Sequence, residues 1–131
     1  MISGDSLTIL VLDDDVPFLE SFKDFLSHEG HFVFPATRGS DAVELVRVVP
    51  LDLSFLDIDL PDIDGLETFA RIHEHRPELP AVFVSGNPSD SLERTVLGMG
   101  AFGLLRKPID ARRLRVVIRE AVHRRNSTEG A

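Results

Sequence analysis

The sequence predicts an α/β protein, a doubly wound five-stranded parallel sheet with helices on both faces. Short apolar runs alternate five times with stretches whose apolar residues recur at helical spacing, the pattern of strand–helix crossovers. Several runs, such as Ile9-Leu10-Val11-Leu12, are apolar without a break, as strands buried on both faces must be. Polar signatures also close four of the five runs. In an open parallel sheet those ends share one edge, and ligands bind along it.

Each element has a local reason. The first strand, 7–12, runs into Asp13-Asp14-Asp15, of which Asp15 suits the cap of the next helix. Phe18, Leu19, Phe22, Phe25 and Leu26 form that helix's apolar face, and Gly30 closes it. His31 to Pro35 reads as a short second strand whose proline suits a sheet edge. Ser40 is expected to cap a helix carrying Ala42, Val43, Leu45 and Val46 that stops before Pro50. The third strand, 52–57, enters the turn-rich stretch Asp59 to Gly65, and a helix follows with Leu66, Phe69, Ala70 and Ile72 on one face. After the fourth strand, 80–85, Asn87-Pro88-Ser89-Asp90 opens a helix with Leu92, Val96 and Leu97, stopped by Gly98 and Gly100. The fifth strand is 102–106, and Asp110 caps a last helix bearing Leu114, Val117, Ile118 and Ala121. Residues 1–131 are expected to form one domain with a core at about 7–125 and a frayed tail from Asn126.

Composition narrows the function classes. A chain of 131 residues with 43% hydrophobic and 27% charged residues can bury a core without staples. It has no cysteine, so neither disulfides nor a thiolate metal site enters. No apolar run approaches a membrane span, and the N-terminus lacks the pattern of a signal peptide, which makes a cytoplasmic protein the expectation. The formal charge of −8 argues against direct binding to nucleic acid or anionic lipid. Basic residues nevertheless crowd between Arg106 and Arg125, either as a solvated helix face or as a docking face for an acidic partner.

The strand ends carry the chemistry. Adjacent acids leaving a strand point in different directions, so Asp13 and Asp14 can approach one ion from two angles. Magnesium takes oxygen ligands and is commonly held by one or two carboxylates together with phosphate oxygens. Asp57 can act as a nucleophile toward phosphorus, although alone it would pass for a turn or cap residue. Gathering it with Asp13 and Asp14 costs repulsion unless a cation sits among them. Ser85, beside Gly86, suits a donor to a phosphoryl oxygen or ordinary turn chemistry. Lys107 is one of only two lysines among 14 basic residues, which suggests a need for a compact point charge. Pro108 follows it, and a cis Lys107–Pro108 bond would turn the ammonium back over the strand ends. Other motifs fail. Asp62-Ile63-Asp64-Gly65 has Leu60 where an EF-hand needs its first ligand, and His73-Glu74-His75 lacks the spacing of a zinc helix. Neither a dinucleotide-binding nor a P-loop glycine pattern is present.

The set Leu12-Asp13-Asp14, Leu56 to Gly65, Val84-Ser85-Gly86 and Arg106-Lys107-Pro108 resembles the receiver domain of two-component response regulators, over roughly residues 7–125. The resemblance implies the flavodoxin-like (βα)5 receiver fold. It also implies that Asp57 accepts a phosphoryl group from a histidine kinase or a histidine phosphotransfer protein. Further implied are direct Mg²⁺ binding by Asp14, mainly water-mediated binding by Asp13, and a site completed by the Asp57 carboxylate and the Asp59 backbone carbonyl. Ser85 and Lys107 would engage the phosphoryl oxygens. The surface of the fourth helix, fifth strand and fifth helix is the family's usual face for a homodimer or effector. Two positions depart from the pattern: Leu104 replaces the Tyr or Phe usual three residues before the lysine, and Asp59 is acidic. Phe102 is expected on the same side of the strand as Leu104 by period two, one pair farther along. A competing reading is a small Mg²⁺-dependent phosphatase using Asp57 and Asp59, similar to haloacid-dehalogenase-like enzymes. Those enzymes carry their acid pair on the first strand, not the third.

Overall fold

The computed structural model describes residues 6–60 and 62–130, with 125–130 described by backbone alone. The N-terminal stretch 1–5, Pro61 and Ala131 lie outside the described residues. Strands β1 (Thr8–Leu12), β2 (Phe32–Ala36), β3 (Leu53–Asp57), β4 (Ala81–Ser85) and β5 (Gly103–Arg106) alternate with helices α1 (Val16–His28), α2 (Gly39–Val48), α3 (Gly65–His75), α4 (Asp90–Gly98) and α5 (Ala111–Gly130). The strands pair in parallel in the order β2-β1-β3-β4-β5. From β1 the chain steps outward to β2, then returns to β3 on the other side. The crevice at the C-terminal ends of β1 and β3 is therefore the topological switch point.

Side chains alternate across each strand and divide the core in two. Ile9, Val11, Leu53, Phe55, Val82, Val84 and Leu105 pack on one face with Leu19, Phe22 and Leu26 of α1 and Leu114, Val117 and Ile118 of α5. Leu10, Leu12, Leu56, Ala81 and Phe83 pack on the other with Ala42 and Val46 of α2, Phe69 and Ile72 of α3, and Val96 of α4. Pro35 lies in the edge strand β2, where no neighbour needs its missing donor. Asp15 caps α1 by accepting the Phe18 N–H at 3.2 Å. The helix closes through Gly30 at φ 94°, with His31 N–H on the Leu26 carbonyl at 3.1 Å.

Four local expectations are corrected. Ser40 does not cap α2, which begins at Gly39 after Arg38 with no side-chain cap of its own. Asp62, from the loop after β3, accepts the Gly39 and Ser40 N–H groups at 2.9 and 3.0 Å. On α3, Ala70 is exposed and Thr68 is buried in its place, its hydroxyl donating to the Asp64 carbonyl at 3.0 Å. Phe102 lies just before β5 and packs on the α1–α5 side, opposite Leu104, because the strand's alternation starts only at Gly103. The tail from Asn126 is helical to Gly130, since each residue added to a formed helix brings one more hydrogen bond. Among the described residues no helix is long and apolar enough to cross a membrane.

Candidate functional site

Three site residues continue one sheet face beyond its apolar rows. Val11, Phe55 and Leu105 face the α1–α5 core, and two residues on from each stand Asp13, Asp57 and Lys107. The ladder carries them past the strand ends: Asp13 N–H donates to the Ala36 carbonyl at 3.0 Å, and Lys107 N–H to the Ser85 carbonyl at 2.9 Å. Asp13 Oδ1 then accepts the Asp15 N–H at 2.9 Å, turning the chain from β1 toward α1. Its Oδ2 lies 2.7 Å from Lys107 Nζ, while Asp57 Oδ1 lies 3.8 Å from the same ammonium. The Lys107–Pro108 bond is cis.

Asp13 and Asp57 are 1% and 5% exposed, whereas Asp14 faces solvent. One carboxylate oxygen from each of Asp13, Asp14 and Asp57 falls within 4.8 Å of the others. Burial, reinforced by the Asp13 charge, pushes the Asp57 carboxyl up to about 7, and Asp14 adds to the rise. Lys107 and a long hydrogen bond from the Asp59 N–H (3.4 Å) only partly offset it. Burial works against the Lys107 ammonium, but the Asp13 hydrogen bond and charge outweigh it, leaving its pKa above the ordinary lysine value. One ammonium thus faces three clustered carboxylates, and the excess negative charge is what a small divalent cation would neutralise. The oxygen-only donor set suits magnesium.

The remaining predicted residues sit at the rim. Ser85 ends β4 on the side of Phe83, and its hydroxyl accepts the Asn87 N–H at 3.0 Å, the turn role that the sequence also allowed. The Asp59 side chain is exposed. Leu104 packs on the α2–α4 side of the sheet, away from Asp57. Sequence reasoning missed the place of Phe18. Its ring lies against Lys107 with Nζ 4.5 Å from the ring centroid, yet its helical spacing marks only a core position.

Residues 9–119 match the response regulator receiver domain family, and the chain belongs to it. It is 34% identical over 103 residues to the transcriptional regulatory protein CrdR of Helicobacter pylori, covering 78% of this chain and 48% of that protein. With the transcriptional regulatory protein ZraR of Klebsiella oxytoca it shares 33% identity over 120 residues, 92% of this chain and 27% of that one. The chain thus spans half or less of the length of these relatives. A CheY-like receiver domain structure from Methanospirillum hungatei superposes with a TM-score of 0.88 at 29% identity, covering 94% of this chain and 98% of the other. This is a receiver domain of two-component signal transduction, a signalling module and not a classical enzyme. Receiver domains accept phosphoryl groups from histidine kinases, act on effector domains, and generally bind Mg²⁺ at an acidic cluster. The phosphatase alternative is not favoured.

Proposed function

We propose that Asp57 is the phosphoacceptor of this receiver. The supporting observation is the convergence of Asp13, Asp57 and Lys107 on one face of one sheet edge, with the Asp57 oxygen 3.8 Å from the ammonium. An Asp57 carboxylate oxygen attacks the phosphorus of a phosphohistidine. The O–P bond forms as the N–P bond breaks, and the imidazole nitrogen leaves with the electron pair. Lys107, released from Asp13 toward the phosphoryl oxygens, balances their charge, and the Ser85 hydroxyl donates to another. Water later attacks the aspartyl phosphate, restoring the carboxylate and releasing inorganic phosphate. Asp13, Asp14, the Asp57 carboxylate and the Asp59 backbone carbonyl would hold Mg²⁺. When bound, the ion neutralises negative charge on the transferring group.

The donor is a histidine kinase or a histidine phosphotransfer protein. The face of α4, β5 and α5, where Asp90 and Glu93 adjoin Arg106 and Arg113 in one groove, is the surface for a second copy or an effector. This chain makes no direct nucleic-acid contact in this reading, in keeping with its charge of −8, and it works in the cytoplasm. The test is incubation with acetyl phosphate and Mg²⁺. A hydroxylamine-labile adduct forms on the wild type and is missing from Asp57→Asn; equal labelling of that variant would refute the assignment.

A further inference from the structure

We propose that Phe18 is a positioning residue for Lys107, its ring face keeping the ammonium beside Asp57 when the carboxylates that now bind it are engaged elsewhere. The inference rests on the reading of Asp57 and Lys107 as the phosphoryl-handling pair. Lys107 Nζ is 4.5 Å from the Phe18 ring centroid, well within the roughly 6 Å reach of a cation–π contact. The lysine side chain is only 20% exposed, so water weakens that contact less than at an open surface.

The ring is braced from behind. Phe18 N–H is tied to the Asp15 cap, which fixes the first turn of α1. The Phe18 ring meets Phe22 edge-on at 5.7 Å, and Phe22 packs against Phe55 at 5.0 Å. Phe55 lies two residues before Asp57 on the same side of β3. An aromatic column therefore runs from β3 beneath the nucleophile, through α1, and back to the ammonium.

Its use follows from competition for oxygen. Asp13, which holds Lys107 at 2.7 Å, also belongs to the carboxylate cluster suited to a divalent cation. A cation there would draw on the same Asp13 carboxylate and would repel the ammonium. The Phe18 ring carries no net charge and offers no oxygen, so its attraction for the ammonium survives. An aliphatic residue at position 18 would fill the same space but leave the ammonium free to swing into solvent. Phe18 acts through Lys107 and does not touch the phosphorus.

The test follows the full chain by two readouts. Only Lys23 and Lys107 are lysines, so ¹³C-lysine NMR resolves the Lys107 ε-methylene protons. In the wild type these protons are shifted upfield by the ring, and the shift persists on adding Mg²⁺ and beryllofluoride. Phe18→Leu abolishes the shift and slows phosphorylation by acetyl phosphate about two- to tenfold, and Phe18→Trp restores both. The proposal is overturned if the wild-type shift is missing or vanishes with Mg²⁺, a measurement that needs no variant to fold. It is likewise overturned if folded Phe18→Leu is phosphorylated at the wild-type rate, or if folded Phe18→Trp behaves like Leu. Adduct formation on Asp57→Asn would instead remove the underlying reading, while a persistent ring-current shift would leave the contact itself standing.

Discussion

Lys107 is held more closely by Asp13 than by Asp57: its ammonium is 2.7 Å from the first carboxylate and 3.8 Å from the second. Before phosphorylation the lysine is therefore a counterion to an acid of the proposed metal cluster. In the proposed site, lysine and a divalent cation would compete for Asp13.

Lys107→Ala is expected to bind Mg²⁺ roughly tenfold more tightly than the wild type, because a cation a few ångströms from the site is removed. Isothermal titration calorimetry in low-salt buffer measures this. Unchanged or weaker binding would show that the ammonium and the metal do not share Asp13.

Asp57 makes the metal-free protein sensitive to pH. Its carboxyl is raised to about 7 against an ordinary value of 3.8, so between those values the folded state binds more protons than the unfolded one. Stability from this group is therefore highest in acid and declines as pH rises through that window. Asp57→Asn removes the penalty and should stabilise the metal-free protein at pH 8 by up to about 4 kcal/mol. The advantage should shrink toward pH 4 and upon adding Mg²⁺. Denaturant melts at several pH values would show it, and a pH-independent difference would argue against the charge cluster as its cause.

Asp62 ties the β3–α3 loop to the start of α2. The N–H groups of Ser40 and Gly39 hold its carboxyl well below the usual carboxylate range. Its stabilisation is thus present above the ordinary carboxylate pKa and is lost as pH falls below it. The side chain is exposed, so solvent screens part of the effect. Asp62→Ala should cost about 1 kcal/mol at neutral pH, the usual worth of a helix cap, with the gap to wild type narrowing in acid. Equal stability at neutral pH would mean that the intersegment cap contributes nothing.

Gly65 permits close approach behind Asp57. A Cβ there would collide with the Asp57 carbonyl oxygen and meet Ile58 Cα at 2.8 Å, both backbone atoms that cannot swing aside. Its own N–H donates to the Ile58 carbonyl at 2.7 Å, holding the turn. Gly65→Ala should therefore destabilise the fold by about 1–3 kcal/mol and reduce adduct formation on Asp57 together with it. Gly98→Ala, where a Cβ meets nothing within 4 Å, is the matched control.

The sequence by itself determined the alternation of strands and helices, and with it which strand residues share a face. These follow from backbone periods that act within a few residues. Val11 to Asp13, Phe55 to Asp57 and Leu105 to Lys107 are each one step of period two, so the gathering of these side chains at one sheet edge was legible. Where the period had not yet begun, as at Phe102, the same rule misplaced a side chain. Only the tertiary structure decided the partners that cross between elements. Asp62 instead of Ser40 supports α2, Asp13 holds the ammonium more closely than Asp57 does, and Phe18 faces Lys107 instead of serving the core alone. Those contacts depend on how helices settle against the finished sheet, a balance of packing and desolvation that no local spacing encodes.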